Sequence, residues 1–472
     1  MKQLPVFKVL SQHLQQKPIS FHVPGHKNGL LLSDFLPNME QVLQYDLTEL
    51  SGLDDLHSPE EAIAQAQQLL TSCYRTKKSY FLVNGSTAGN LAMVLSTVKA
   101  GDRVFVQRNC HKSIFNALQL AGAQPIFLRP EIDHELATTV GVSLEVFKQA
   151  IADYPDTKVA IFTYPNYYGQ TFNIKEMIDF AHQHDLVVLV DEAHGAHFII
   201  GEPFPASSLL YGADMVVHSA HKTLPAMTMA SFLHINSERV SIRKVSQSLG
   251  MLQSSSPSYP LMLSLDIARE YVASFTKNDV AYLLQQIEQF HQELMKLPMF
   301  QVIQTDDPIK LLLKVTNQGL SGFELQKLLE AEGIFTELAD HDQVLLILPL
   351  LKVEQEYPFE EALRRIKKVS DRIVPKEREQ LVIPNANPLS TLALSYTEME
   401  ELVAEPISFD QLSGRIAAET IIPYPPGIPL VIRGELITSQ LVQQLKQLFS
   451  SSAKVQGGEA FLLGKVLVFS FS

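Results

Sequence analysis

The chain has 472 residues, 46% of them hydrophobic, and a formal net charge of −13, which together are typical of a globular protein with two or more domains. The acidic balance argues against non-specific binding to nucleic acid or to an anionic membrane, since both need a basic surface. We expect neither a signal peptide nor a membrane span, and the presence of only two cysteines, Cys73 and Cys110, favours a reducing cytoplasm.

Short apolar strands alternate with amphipathic helices from about residue 60 onward. Strands are predicted at 79–84, 102–107, 125–128, 158–165, 186–193, 213–220 and 230–235. Helices are predicted among them at 59–74, 88–98, 112–122, 143–154 and 174–184. This alternation predicts an α/β protein whose mostly parallel sheet carries helices on both faces.

The second half of the sequence changes character. Two long helices are predicted over 258–297, followed by shorter strands and helices to 373 that favour a smaller α+β domain. After a predicted linker at 382–390, we expect a helix at 408–420, a proline-rich loop at 421–435 and a helix at 438–449. The predicted domains are an amino-terminal segment, a large domain, a small α+β domain and a carboxy-terminal domain, with bounds 1–59, 60–285, 286–380 and 381–472.

Polar residues follow several of the predicted strands, where ligands of open α/β sheets gather. In NGSTAGN (84–90), a Gly-Ser-Thr turn opens a helix and presents free backbone N–H groups that suit a phosphate. A plain helix cap by Ser86 or Thr87 explains the same residues. The stretch is neither a dinucleotide-binding glycine loop nor a Walker loop.

Two charged residues lie at or just past the ends of consecutive apolar strands. Asp191 needs a positive partner there, which is either a protonated ring nitrogen of a cofactor or an internal cap or ion pair. Lys222 follows the next strand, where desolvation would favour the neutral amine that forms Schiff bases, although most single lysines lie at the surface. A phosphate loop, a strand-end aspartate and a lysine together are the three anchors of pyridoxal 5′-phosphate, PLP.

Seven stretches of the sequence resemble the Orn/Lys/Arg decarboxylase family of PLP enzymes. They are FHVPGHKNG (21–29), TELSGLDDLHSP (48–59), FLVNGSTAGN (81–90), RNCHKS (108–113), VDEAHGAHF (190–198), HSAHKT (218–223) and PYPPGIPL (423–430). The resemblance implies the aspartate-aminotransferase-like fold, fold type I, with smaller α+β domains toward the carboxyl end. We expect the shorter bacterial form, without the amino-terminal wing domain of longer members.

The resemblance also implies roles for individual residues. Lys222 would form the Schiff base, Asp191 would face the pyridine nitrogen and His111 would stack on the ring, which makes these three the implied catalytic residues. Further cofactor contacts are implied for Ser86, Thr87, Ala88, His194, Ser219 and His221. Glu435, in VIRGE, matches a carboxylate associated with the distal cation of the substrate, although proline is commoner in the family before this glycine. No metal site is expected, because the H-G-A-H pair at 194 and 197 lacks a third ligand.

The implied activity is decarboxylation of arginine, lysine or ornithine to a polyamine-pathway amine. Because fold-type-I sites are commonly completed by a second subunit, we expect a homodimer or a larger homo-oligomer, with 253–260 as a candidate to reach the partner's phosphate site. An aminotransferase or β-eliminating lyase on the same fold is an alternative, with Arg433 as a conceivable carboxylate-binding residue. A non-catalytic PLP-binding relative is another, whereas GSTAG does not match the G-x-S-x-G turn of serine hydrolases.

Overall fold

A computed structural model describes residues 3–32, 39–316, 320–373, 387–423, 429–450, 455–458 and 460–471. Its contacts divide the chain into two compact units. Unit 1 comprises 1–97 and 187–275, and unit 2 comprises 98–186 and 276–472. The predicted domain bounds stay a prediction, and the boundary at 380/381 and most of the PYPPGIPL stretch lie outside the described residues.

The α-helices are numbered in chain order. They are α1 (Pro5–Gln15), α2 (Glu40–Leu43), α3 (Ala62–Tyr74), α4 (Gly85–Thr97), α5 (Lys112–Ala121), α6 (Leu144–Asp153), α7 (Ile174–Gln183), α8 (Ala220–Thr223), α9 (Ile242–Leu252), α10 (Tyr259–Ala273), α11 (Lys277–Met295), α12 (Gly322–Ala331), α13 (Phe359–Ser370), α14 (Tyr396–Glu401) and α15 (Ser439–Ser450). No helix among the described residues is both long enough and apolar enough to cross a lipid bilayer.

The strands are numbered in the same way. They are β1 (Lys78–Leu82), β2 (Arg103–Gln107), β3 (Gln124–Leu128), β4 (Ile132–Asp133), β5 (Thr138–Thr139), β6 (Val159–Thr163), β7 (Val187–Asp191), β8 (Met215–His218), β9 (Ser231–Ile235), β10 (Phe300–Gln304), β11 (Lys310–Val315), β12 (Leu338–Ala339), β13 (Gln343–Ile347), β14 (Leu389–Thr391), β15 (Val403–Ser408), β16 (Ile422–Pro423), β17 (Val455–Gln456) and β18 (Lys465–Ser470).

Unit 1 contains four strands in the order β1-β9-β8-β7, of which β7 and β8 run parallel and the other pairs antiparallel. Helices cover both faces. Tyr74 of α3 packs against His218, whereas Gly89 of α4 lies against Val217, the neighbouring residue on the opposite face. A Cβ at Gly89 would stand 2.9 Å from a Val217 methyl carbon, so glycine lets α4 approach the strands closely.

Unit 2 contains four strands in the order β6-β2-β3-β14, with β6, β2 and β3 parallel and β14 antiparallel. Phe147 of α6 packs edge-on against Phe105 and Phe162 with ring centroids 5.8 and 5.4 Å away, and Phe115 of α5 packs on Phe127. The predicted linker at 382–390 is wrong at its end, because Leu389–Thr391 pairs with β3 as a strand.

Two further groups of strands belong to unit 2. An antiparallel sheet of order β10-β11-β13-β12 is packed by α11 and α12. Toward the carboxyl end, β15 pairs with β18. The predicted helix at 408–420 is wrong: Gly414 has a φ of +82°, and Ala417 is fully buried and bridges to Val468. Burial of Leu412 and Ala417 in this core therefore outweighs the local helical pattern.

Candidate active site

The carboxylate of Asp191 is buried at the end of β7, with 3% of the residue exposed. Asn90 of α4 donates from Nδ2 to Asp191 Oδ2 over 2.8 Å, and the backbone N–H of Ala193 donates to Oδ1 over 3.2 Å. These donors fix the orientation of a charged group that burial alone would disfavour. Asn90 was not predicted to be a site residue; the only signal that the sequence carries is an asparagine within the otherwise apolar stretch AGNLAMV.

The amino terminus of α4 lies beside the segment that carries the predicted lysine. Gly85 opens the helix with a φ of +78°, and the Ser219 hydroxyl donates to Ser86 Oγ over 2.8 Å. Thr87 is exposed and Ala88 is buried. Two serine hydroxyls and the first N–H groups of a 13-residue helix are therefore grouped within unit 1, which is the donor set that a phosphate requires.

Lys222 lies in the single turn of α8 and is partly buried. Its Nζ is 2.9 Å from Nε2 of His194, a residue that is only 5% exposed. His221 donates from Nδ1 to the carbonyl of Ala230 over 3.0 Å, which anchors the turn that holds the lysine. A lysine amine in contact with a buried imidazole can exchange a proton at short range.

Two predicted site residues belong to unit 2. His111 is exposed and caps α5, where its Nδ1 accepts from the Ser113 backbone N–H over 3.3 Å. Glu435 is 6% exposed and binds Arg108 through both oxygens, with Nη1–Oε1 and Nη2–Oε2 distances of 2.6 and 2.7 Å. Its carboxylate is therefore already engaged by a guanidinium of the same unit. The predicted roles of both residues stay predictions.

Two sequence features near the site have structural explanations within unit 1. Asp54 accepts backbone N–H groups of residues 55, 60, 61, 63 and 64, so it anchors the loop that leads into α3. The 253–260 segment lies beside the start of α4 of its own chain, where Gln253 Oε1 accepts from the Val83 N–H over 2.8 Å. Its predicted contact with a partner subunit stays a prediction.

Comparison with known proteins identifies the family that the sequence resembles, and the match covers nearly the whole chain. The profile of the Orn/Lys/Arg decarboxylase major domain matches residues 4–308, and that of the C-terminal domain matches 377–464. The chain is 44% identical to the uncharacterized protein YaaO of Bacillus subtilis (98% of each chain) and 33% identical to the arginine decarboxylase of that organism (98% of this chain, 97% of the relative).

Solved structures agree on the fold. The lysine decarboxylase LdcF of Francisella novicida superposes with a TM-score of 0.80 at 19% identity, over 100% of this chain and 81% of that one. The predicted fold type I is thus confirmed. The two family profiles and the named relatives agree, and the chain belongs to the Orn/Lys/Arg decarboxylase family.

Proposed function

We propose that the protein is a PLP-dependent decarboxylase of a basic amino acid, with arginine as the first substrate to test. The observation that carries the proposal is the arrangement in unit 1, where a buried, hydrogen-bonded Asp191 ends β7 and Lys222, in contact with His194, follows β8. Arginine comes first because the relatives at 31–33% identity are named arginine decarboxylases.

The residues of unit 1 fit PLP by their chemistry. Asp191 is a buried carboxylate that would take the ring N–H, and Lys222 is an amine that would bind the aldehyde. Ser86 and Ser219, together with the N–H groups that open α4, would hold the phosphate. For His111, the prediction of ring stacking depends on the family resemblance alone.

PLP supplies an electron sink that stabilises the negative charge left at Cα when carbon dioxide departs. The side chains of this protein would orient the cofactor and supply the proton. Asn90 and the Ala193 N–H hold the Asp191 carboxylate ready to accept a hydrogen bond from a protonated ring nitrogen. His194 holds the Lys222 amine by the 2.9 Å contact, and one of these two residues would deliver the proton that replaces the carboxylate at Cα.

The distal end of the substrate has a candidate partner in Glu435. Its two-oxygen contact with the Arg108 guanidinium is the geometry in which a carboxylate binds a substrate guanidinium. Arg108 also donates to Ser390 Oγ and to the Leu430 carbonyl, each over 3.1 Å, so it has other partners if Glu435 turns to a substrate. This role for Glu435 is part of the proposal.

The decisive assay incubates purified protein with PLP and, separately, arginine, lysine or ornithine. We expect carbon dioxide and the corresponding amine from at least one of them, and no product from the Lys222→Ala variant. A 2-keto acid in place of carbon dioxide would favour the aminotransferase alternative. Bound, coloured cofactor without turnover of any of the three would favour the non-catalytic alternative.

We also propose that the protein acts as a homodimer or larger homo-oligomer in the cytoplasm. Large apolar side chains stand exposed near the amino terminus of unit 1, namely Ile19 (84%), Phe21 (93%), Val23 (65%), Leu30 (70%) and Leu31 (61%). Such a cluster is typical of an interface, because water contact with that much apolar surface is unfavourable. Light scattering should give at least twice the 52.7 kDa mass of one chain, and a monomer at micromolar concentration would refute this part.

A further inference from the structure

A line of hydrogen-bonded side chains crosses all four strands of the unit 1 sheet. Ser79 of β1 bonds to His234 Nδ1 of β9 over 2.8 Å, and His234 Nε2 lies 3.1 Å from His218 Nδ1 of β8. His218 Nε2 lies 3.0 Å from Glu192 Oε1, directly after β7. We call these four residues the cross-strand network; each of them is fully buried.

Both ends of the network are closed by further hydrogen bonds. The Ser79 hydroxyl is 2.8 Å from Thr76 Oγ1, and the second Glu192 oxygen accepts from the N–H and hydroxyl of Ser208, the N–H at 2.8 Å. Because a carboxylate only accepts, His218 donates to Glu192 through Nε2. Burial lowers the pKa of His234 well below 6.5, which keeps that ring neutral within the network.

The surroundings are shaped to hold the network in one arrangement. The Tyr74 ring packs on His218 and His234 with centroids 5.2 and 4.5 Å away. A Cβ at Gly195 would lie 2.7 Å from Glu192 Cγ, so only glycine leaves room for this carboxylate. The glutamate and the glycine of DEAHGAH, which the cofactor contacts leave unexplained, are therefore both explained by the packing of the Glu192 carboxylate.

The network lies directly behind the site. Asp191 precedes Glu192 and contacts α4, whereas Ser219 follows His218, whose ring faces α3. Glu192 directly follows the last residue of β7 and Ser219 directly follows the last residue of β8, so a backbone displacement of Glu192 or His218 is passed to Asp191 or Ser219 through one peptide unit. A buried polar network whose members are all hydrogen-bonded rigidifies the core around it, so these side chains can hold the adjoining backbone in one arrangement.

We infer that Glu192 and His218 are positioning residues, which act through the backbone to fix the spacing between Asp191 and the Ser219–Lys222 segment. This inference rests on the proposed function and adds to it the residues that set the geometry of the cofactor site. It predicts that the affinity for PLP and the absorbance spectrum of the bound cofactor both depend on side chains that never touch the cofactor.

The test compares full-length His218→Phe, His218→Gln and Glu192→Gln with the wild type in PLP titrations, absorbance spectra and thermal unfolding. His218→Phe removes both hydrogen bonds, whereas His218→Gln keeps an amide that can donate to Glu192. We expect His218→Phe and Glu192→Gln to bind PLP at least about tenfold more weakly with a shifted absorbance maximum, and His218→Gln to recover most of the affinity.

His197→Phe is the matched control, since His197 is also fully buried in unit 1 but packs against Phe198 and Phe204 outside the network. We expect it to lower the unfolding temperature while PLP affinity and spectrum stay those of the wild type. Wild-type affinity and spectrum in His218→Phe and Glu192→Gln would overturn the inference and leave the proposed function standing. If His218→Phe does not fold, the Glu192→Gln titration decides the question in the same way. A wild type that binds no PLP would overturn both.

Discussion

The hydrogen bond from Asn90 to Asp191 is a direct target, because both residues are buried and the contact is 2.8 Å long. The substitution Asn90→Ala removes one of the two donors described for the Asp191 carboxylate, namely the amide that donates to Oδ2. A hydrogen bond to a charged group contributes about 1.5–3 kcal/mol. Without it, the Asp191 carboxylate is held less firmly in the orientation in which it would accept a hydrogen bond from a protonated ring nitrogen.

Because each 1.4 kcal/mol corresponds to a factor of ten, we expect Asn90→Ala to bind PLP roughly 10- to 100-fold more weakly than the wild type. The assay is a titration of the cofactor-free protein with PLP, followed by absorbance. Asn236→Ala is the control, since Asn236 donates over 2.9 Å to the Leu209 carbonyl in the same unit. An Asn90→Ala variant that binds PLP with wild-type affinity would refute the assignment of Asp191 to the ring nitrogen.

Three further outcomes follow from the structure. Asp54→Ala should lower the unfolding temperature by a few degrees and speed amide hydrogen exchange at residues 60–64. The reason is that it removes a capping carboxylate that contributes about 1–2 kcal/mol to stability. Unchanged exchange at these residues would contradict the anchoring role of Asp54. Burial lowers the pKa of His234 in the folded state, so the unfolded chain binds more protons and stability falls as the pH drops below about 6.5. His234→Phe should flatten the dependence of the unfolding temperature on pH. An equal slope in the variant and the wild type would contradict this contribution of His234. Glu435→Gln should raise KM for the basic substrate roughly tenfold or more with a smaller effect on kcat, and an unchanged KM would remove Glu435 from substrate recognition.

The sequence was sufficient to predict the elements that carry the site. Apolar runs followed by polar residues predicted that Asp191 ends one strand and that Lys222 comes just past the next; β7 ends at Asp191, and β8 precedes the turn that holds Lys222. Gly122 was predicted to end its helix, and it does so with a φ of +63°. These features depend on local patterns, which a single sequence carries.

Contacts between residues far apart in the sequence could not be predicted from local sequence patterns. The Arg108–Glu435 ion pair joins residues 327 positions apart, and the His234–Ser79 bond spans 155. The helix expected at 408–420 failed for the same reason, since burial of Ala417 and its bridge to Val468 are tertiary effects. Asn90 and Glu192 belong to stretches that were recognised, but their roles depend on which face of the sheet each side chain occupies.

Covalent attachment of PLP to Lys222 is the central claim, and borohydride reduction tests it most directly. Reduction of the protein after incubation with PLP, followed by proteolysis and mass spectrometry, should place the pyridoxyl group on the peptide that contains Lys222. The Lys222→Ala variant, treated in the same way, should carry no such mass. A pyridoxyl group on any other lysine of the wild type, or on none, would contradict the account.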